Sequence, residues 1–320
     1  MLRPIAIALA LWCLALLSPL HAFAQGGPWE THMAAGAKAY RQSQYAEAEK
    51  QLKAALKEAE KFEPEAHRLA VSLNRLAGLY NRQGRYNEAE PLFQRSLAIF
   101  EKVLGPQHLR LAGSLNNLAE VYSAQGRYAE AEPLYKRSLG IVEKALGPER
   151  PHVATSLNNL AELYHDQGKY AEAEPLYKRA LAIREKALGP EHPHVAQSFN
   201  NLAELYRTQG KYAEAEPLYK RALAIFEKAL GPEHPDVATS LNNLAGLYHA
   251  QGKYTKAEPL YKRALTVNEK ALGPEHPDLV LGLKNYAALL RKIGRGEEAK
   301  KLETRAKAIR TKHAEQNPTK

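Results

Sequence analysis

The feature that most constrains this chain is a short segment that returns every 42 residues. Ser72-Leu73-Asn74 recurs as Ser114-Leu115-Asn116, then at 156–158, 198–200 and 240–242, and weakly at 282–284. A fixed period of this length is typical of repeat proteins, whose units bury their apolar faces against one another. Residues 151–192 and 193–234 differ only at Thr155/Gln197, Leu157/Phe199, His165/Arg207, Asp166/Thr208 and Arg184/Phe226.

Each unit is predicted to contain two helices. In the third unit, Leu157, Leu160, Ala161 and Tyr164 have the spacing of one helical face. This helix is expected to begin at Pro151 and to end at Gln167-Gly168, because proline suits a first helical turn and glycine commonly follows a helix. The second helix is predicted from about Tyr170 to Leu188, before Gly189-Pro190.

A proline falls inside five of the predicted second helices. Pro175 has no backbone N–H and crowds the carbonyl of Ala171, so we expect a bend or a late helix start there. The same position is occupied by Pro91, Pro133, Pro217 and Pro259.

The repeat resembles the tetratricopeptide repeat. The matching residues are Leu157, Leu160, Ala161, Tyr164, Gly168, Tyr170, Ala173, Tyr177 and Ala180. The 42-residue period and the linker at 185–193 are similar to the kinesin light chain variety, except that Glu185 stands where the shorter repeat has its closing proline. The resemblance implies an all-α fold, a right-handed α-solenoid of stacked antiparallel helix pairs.

The ends of the array depart from the repeat. Residues 25–66 are predicted to form an atypical N-terminal helix pair, and 67–310 the repeat array of period 42. Residues 311–320 are expected to be a frayed basic tail. Polar terminal units are what a stack of repeats needs at its solvent-facing ends.

The first 24 residues have the parts of a secretory signal peptide. Arg3 precedes an apolar run from Ile5 to Leu17, and Ala22-Phe23-Ala24 follows a helix breaker. We expect cleavage after Ala24 and export to the periplasm or the medium. The alternative is an uncleaved N-terminal anchor, although the run is short for a membrane span.

Composition and motifs exclude several classes of function. The 45 basic and 35 acidic residues are mixed along the chain, whereas nucleic-acid-binding proteins concentrate their positive charge. A single cysteine excludes a disulfide framework and a cysteine-based zinc site. No P-loop, H-E-x-x-H, G-x-S-x-G or dinucleotide fingerprint is present. We therefore expect no enzyme activity, no cofactor and no nucleic-acid partner.

Two recurring charged motifs have structural interpretations. The pairs Glu191-His192, Glu233-His234 and Glu275-His276 are each too isolated to supply three metal ligands, so each histidine is interpreted as a helix-start residue. Glutamate stands four residues before lysine in four of the second helices, the favourable order for a solvated surface pair. These pairs are Glu132–Lys136, Glu174–Lys178, Glu216–Lys220 and Glu258–Lys262.

The polar half of each first helix is the candidate binding surface. At about 100° per residue, Asn158, Asn159 and Glu162 lie opposite the apolar cluster around Leu157. In the family that the repeat resembles, first helices line a concave groove that holds a partner peptide. The resemblance thus implies these groove residues: Asn116, Asn117, Glu120, Asn158, Asn159, Glu162, Asn200, Asn201, Glu204, Arg207, Asn242, Asn243 and Asn285.

The asparagines allow two interpretations. An amide offers two donors and an acceptor, so a column of amides can bind an extended backbone whatever its side chains. Alternatively, these amides bond neighbouring helices to each other.

Charge is ordered along the candidate groove. Glutamates occupy the middle, Gly78, Gly246 and Ala288 replace them nearer the ends, and basic residues mark both ends. A partner with a basic or polar centre and acidic flanks would fit this order.

The sequence predicts an exported, monomeric, non-catalytic scaffold that binds a protein or peptide in its groove. Stable membrane insertion after signal cleavage is not expected. One alternative is an accessory subunit or cryptic hydrolase of the periplasm. Another is a surface protein that binds polyanions, whose affinity would fall steeply with salt.

Overall fold

The structure is a computed structural model that describes residues 27–61 and 66–316. The predicted signal peptide at 1–24 lies outside the described residues. The described chain forms helices α1 Pro28–Arg41, α2 Tyr45–Ala59, α3 Ala66–Arg82, α4 Tyr86–Leu104, α5 Leu109–Ala124, α6 Tyr128–Leu146, α7 Pro151–Asp166, α8 Tyr170–Leu188, α9 Pro193–Thr208, α10 Tyr212–Leu230, α11 Pro235–Ala250, α12 Tyr254–Leu272, α13 Leu279–Lys292 and α14 Gly296–Gln316.

The helices divide between two compact units. The first ends at Pro148 and contains α1–α6, and the second begins at Glu149 and contains α7–α14. Within each unit the helices pack as consecutive pairs, and each second helix also packs against the next first helix. The predicted all-α solenoid fold is confirmed. Within the described residues, no helix combines the length and the apolar character needed to cross a membrane.

The helix boundaries follow from the local sequence. Helix α7 begins at Pro151 and α8 runs from Tyr170 to Leu188, as predicted. Gly168 between them has φ +74° and Gly189 after α8 has φ +86°, a conformation that side-chain-bearing residues rarely adopt. The predicted core residues are buried between neighbouring layers, where one layer is one pair of helices. They are Leu157, Leu160, Ala161, Tyr164, Ala173, Tyr177 and Ala180.

The second helices do not start late, which was one of the two effects expected from the internal proline. Pro175 lies inside α8, which already begins at Tyr170, and the same holds at Pro91, Pro133, Pro217 and Pro259. The proline removes one backbone bond near the start of the helix. Burial of Ala173 and Tyr177 on either side of it holds the first turn in helical register.

The last helix continues beyond the predicted end of the array. The prediction that the chain frays from Thr311 is wrong for residues 311–316, because α14 runs to Gln316. Ala306 and Ile309 pack against Leu279 and Leu283 of α13, which anchors the second half of α14. Lys312 also binds the carboxylate of Glu275, in the same register as Lys270 with Glu233.

Candidate functional site

The candidate surface in the second unit is formed by its first helices. Helix α11 packs directly against α9 and α13. The half-buried polar residues that these helices and α7 present define what we call the first-helix face: Asn159, Glu162, Asn201, Glu204, Arg207, Asn243 and Asn285. In the first unit, α3 packs against α5, which carries Asn116, Asn117 and Glu120.

The first asparagine of each pair is mainly an internal residue. Asn116, Asn158 and Asn200 are buried, and Asn242 is half-buried. The Asn200 amide donates to Ser240 Oγ at 2.8 Å, and Asn74 donates to Ser114 Oγ at 2.9 Å in the first unit. These two bonds join one first helix to the next, whereas neither polar atom of the buried Asn158 amide has a partner.

The second asparagine of each pair behaves differently along the chain. Asn117 donates to Asn74 Oδ1 at 3.2 Å, and Asn285 donates to Asn242 Oδ1 at 3.4 Å. Asn159, Asn201 and Asn243 are half-buried, and their side chains form no hydrogen bond with the described residues of their own unit. These three amides are therefore available to a partner.

Glu204 is held by two neighbours. Arg207 donates to its two carboxylate oxygens at 2.7 and 2.5 Å, and the Tyr219 hydroxyl donates at 2.7 Å. Burial opposes ionisation, but these hydrogen bonds hold the pKa of Glu204 below its ordinary value. Glu204 is thus a neutralised anchor of the face rather than a free negative charge.

Glu120 in the first unit has the opposite electrostatic character. Burial raises the pKa of Glu120, although a hydrogen bond with Asn81 and the charge of Arg82 oppose the increase. The two glutamates occupy the same repeat position, so their different neighbours determine how strongly each retains its negative charge.

Tyrosine–glutamate bonds between layers were missed by the sequence analysis. Tyr206 donates to Glu174 Oε1 at 2.9 Å, and Tyr248 donates to Glu216 Oε1 at 2.9 Å. The predicted glutamate–lysine surface pairs are confirmed, with nitrogen–oxygen distances of 2.6–2.8 Å at Lys136, Lys178, Lys220 and Lys262. The only sequence signal for the tyrosine–glutamate bonds was that both residue types recur every 42 residues.

The linker histidines are helix-start residues, as interpreted from the sequence. His192 Nδ1 accepts the backbone N–H of His194 at 3.1 Å, and His234 Nδ1 accepts that of Asp236 at 3.2 Å. Glu191 pairs instead with Lys228 of α10, at 3.0 Å. Within the described part of the chain, no group of three or more His, Cys, Asp or Glu side chains is placed to hold a metal ion.

The comparisons with known proteins agree with this architecture. The chain is similar in structure to BtubC (BKLC) from P. vanneervenii, with 26% identity, TM-score 0.55 and coverage of 80% of this chain and 94% of that one. It is also similar to the nearly identical TPR-like repeats of a Podosopora anserina protein designated a kinesin light chain, with 33% identity, TM-score 0.54 and coverage of 66% and 99%. A Rap protein complexed with Competence and Sporulation Factor shares the fold at 19% identity, with TM-score 0.67 and coverage of 90% and 76%.

Sequence profiles give the family. No curated protein matches the chain. The tetratricopeptide repeat profile, however, matches residues 31–102, 68–144, 110–186, 152–228, 194–270 and 236–312. Because these matches cover most of the sequence, the chain belongs to the tetratricopeptide repeat family.

Proposed function

We propose that this protein is an exported, non-catalytic scaffold that binds an extended segment of a protein partner on its first-helix face. The observation that carries the proposal is the set of three amides, at Asn159, Asn201 and Asn243, that have no hydrogen bond within their unit. They recur on successive first helices, and each can both donate to and accept from a peptide backbone.

The chemistry of the face favours binding over catalysis. An acid or base catalyst needs a group within reach of substrate and free to exchange a proton. Glu204 is instead committed to Arg207 and Tyr219, and the linker histidines cap helices. The tetratricopeptide repeat fold is typical of protein-interaction scaffolds, which supports the same reading.

The partner is proposed to be a protein or peptide, bound without a cofactor by a monomeric chain. Because Arg207 neutralises Glu204, selectivity among partners depends more on the exposed charges near α13. The alternative of a polyanion-binding surface predicts steep loss of affinity with salt, whereas backbone-directed amides predict little.

The test is to crosslink and recover the natural partner from the exported fraction and then to titrate it against a triple variant. Asn159→Ala, Asn201→Ala and Asn243→Ala together are expected to weaken binding by about ten-fold to a thousand-fold, from about 0.5–1.5 kcal/mol for each amide. The matched control replaces Lys178, Lys220 and Lys262, exposed residues of the second helices, by alanine and is expected to bind normally.

The outcome depends on both variants being folded, which circular dichroism establishes. A folded asparagine variant that binds as tightly as wild type refutes the first-helix face as the binding surface. Loss of binding in the lysine variant alone would place the partner on the second helices.

A further inference from the structure

The layer of α11 and α12 has a glycine, and so no side chain, at the position where the layer of α9 and α10 has a glutamate. Gly246 in α11 occupies the repeat position of Glu204 in α9. Beneath Glu204, the hydroxyl of Tyr219 donates to its carboxylate at 2.7 Å. Beneath Gly246 lies Tyr261, the equivalent tyrosine of α12, with no carboxylate above it.

The Tyr261 hydroxyl points at this gap. A Cβ atom built on Gly246 would lie 3.7 Å from Tyr261 Oη and would meet no other atom within 4 Å. Tyr261 is only 3% exposed and stacks on Tyr286 with the ring centroids 6.2 Å apart, so its position is fixed. Its hydroxyl forms no hydrogen bond with the described residues, unlike that of Tyr219.

The surroundings of the gap suit a negative group. Burial raises the pKa of Tyr261 to about 12, so the hydroxyl stays protonated and remains a donor at neutral pH. The positive charge of Arg207, whose guanidinium is bonded to Glu204, opposes that increase.

The other layers do not combine these features. Gly78 is the equivalent glycine of α3, but the residue beneath it is Phe93, which has no hydroxyl. At the last layer, Ala288 stands above Glu303, whose carboxylate is held by Arg291 at 2.7 and 2.6 Å. Among the described layers, only that of α11 and α12 joins a missing glutamate to a tyrosine hydroxyl that forms no hydrogen bond with the described residues.

We propose that the notch formed by Gly246 and Tyr261 binds a carboxylate of the partner, which takes the place that the Glu204 side chain takes one layer earlier. This deepens the proposed function, on which it rests, by fixing one acidic residue of the ligand at the α11 layer. A carboxylate is preferred to a neutral acceptor because hydrogen bonds to charged groups are about twice as strong.

The test uses three short peptides as probes of the full chain. They are acetyl-Ala-Ala-Glu-Ala-Ala-amide, its Gln counterpart, and acetyl-pentaalanine with a free C-terminal carboxylate. Binding is followed by NMR of tyrosines labelled at Cζ, with the Tyr261 signal assigned as the one missing from Tyr261→Phe. We expect the Glu peptide to shift this signal and to bind about ten-fold or more tightly than the Gln peptide. The third peptide shows whether a chain terminus serves as well as a side chain.

Two substitutions in the notch separate the proposal from a general effect on folding. Gly246→Glu should supply an internal carboxylate and abolish the preference for the Glu peptide, and it should keep the helix intact because glutamate favours helix more than glycine does. Gly78→Glu is the matched control and should change nothing. Tyr261→Phe keeps the ring stacking and, in a calorimetric titration that does not depend on the Tyr261 signal, should weaken binding of the Glu peptide alone by about ten-fold.

The possible outcomes distinguish the two proposals. Equal affinity for the Glu and Gln peptides, or an unchanged preference in Gly246→Glu, overturns the notch. If the Asn159, Asn201 and Asn243 variant still weakens all three peptides in that case, the proposed function stands and only the notch is wrong. If that variant changes nothing while the Glu preference persists, the notch is correct and the amide-based binding is wrong.

Discussion

Replacing Arg184 by phenylalanine is expected to stabilise the protein. Arg184 is only 6% exposed, and at its repeat position three other layers bury an apolar residue, namely Phe100, Val142 and Phe226. Its guanidinium donates to the carbonyl of His194 at 3.1 Å and to Ser198 Oγ at 2.9 Å. Among the described residues, no carboxylate pairs with it, so a positive charge is buried without compensation.

The magnitude follows from the titration of this group. Burial lowers the pKa of Arg184 from 12.5 to about 10. Burying the charged form therefore destabilises the folded protein by about 3 kcal/mol at neutral pH. The guanidinium also occupies Ser198 Oγ, while both polar atoms of the buried Asn158 amide lack a partner. In the next layer the equivalent pair, Asn200 and Ser240, is bonded at 2.8 Å.

The substitution should therefore stabilise the folded protein in two ways. Removal of the charge recovers most of its burial cost, and a restored bond from Asn158 to Ser198 adds about 1 kcal/mol. Against this stands the loss of the two bonds that the guanidinium donates, so we expect a net gain on the order of 2–4 kcal/mol for Arg184→Phe.

The assay compares Arg184→Phe with its reciprocal, Phe226→Arg, which creates the same defect one layer later. Urea unfolding gives the overall change, and hydrogen exchange in α7–α9 and α9–α11 localises it, because repeat arrays can open in parts. Slower exchange in the first variant and faster exchange in the second are expected. A destabilised Arg184→Phe, or a Phe226→Arg as stable as wild type, would refute the reasoning.

Three further predictions concern the core, acid stability and export. Tyr164→Ala should cost about 3–5 kcal/mol as a lost core side chain, whereas Glu162→Ala should leave the melting curve nearly unchanged. Hydrogen bonds from Lys262 and Arg295 lower the pKa of Glu258 from 4.5 to about 2, so its contribution to stability, complete above pH 4.5, should be lost as the pH falls towards 2. Acid titration of Glu258→Gln should lack this loss. Mass spectrometry of protein from the exporting organism should find Gln25 at the N-terminus, and dominant intact Met1 peptides would contradict cleavage.

The repeat made the helices predictable because each boundary signal is present several times. Pro151, Gly168 and Gly189 mark the ends of α7 and α8, and equivalent residues mark most other pairs. The end of α14 was not predicted in this way, because residues 311–316 are polar and were expected to be a frayed tail. There, burial of Ile309 and the pairing of Lys312 extend α14, and both depend on a neighbouring helix rather than on the segment itself.

The candidate site was only partly predictable, because a period gives spacing along the chain but not contacts across it. Asn200 and Asn201 are adjacent in the sequence, yet the first bonds Ser240 and the second has no bond within its unit. A helical wheel with about 100° between neighbours cannot separate these two roles, since both fall on the polar half. The register of one first helix against the next decides between them.

In a repeat array, residues that differ from their equivalents carry the information that a uniform scaffold cannot. Glu204 closes the surface above Tyr219, so the same tyrosine beneath Gly246 is a donor left open. Arg184 disrupts an apolar column, so the asparagine–serine bond made in the next layer is missing from its own. Since 151–192 and 193–234 are otherwise nearly identical, the bonded layer serves as an internal reference for the altered one. The two exceptions differ in consequence: the open donor at Gly246 faces a position where a partner can replace a side chain, whereas the charge of Arg184 is closed in and acts on stability.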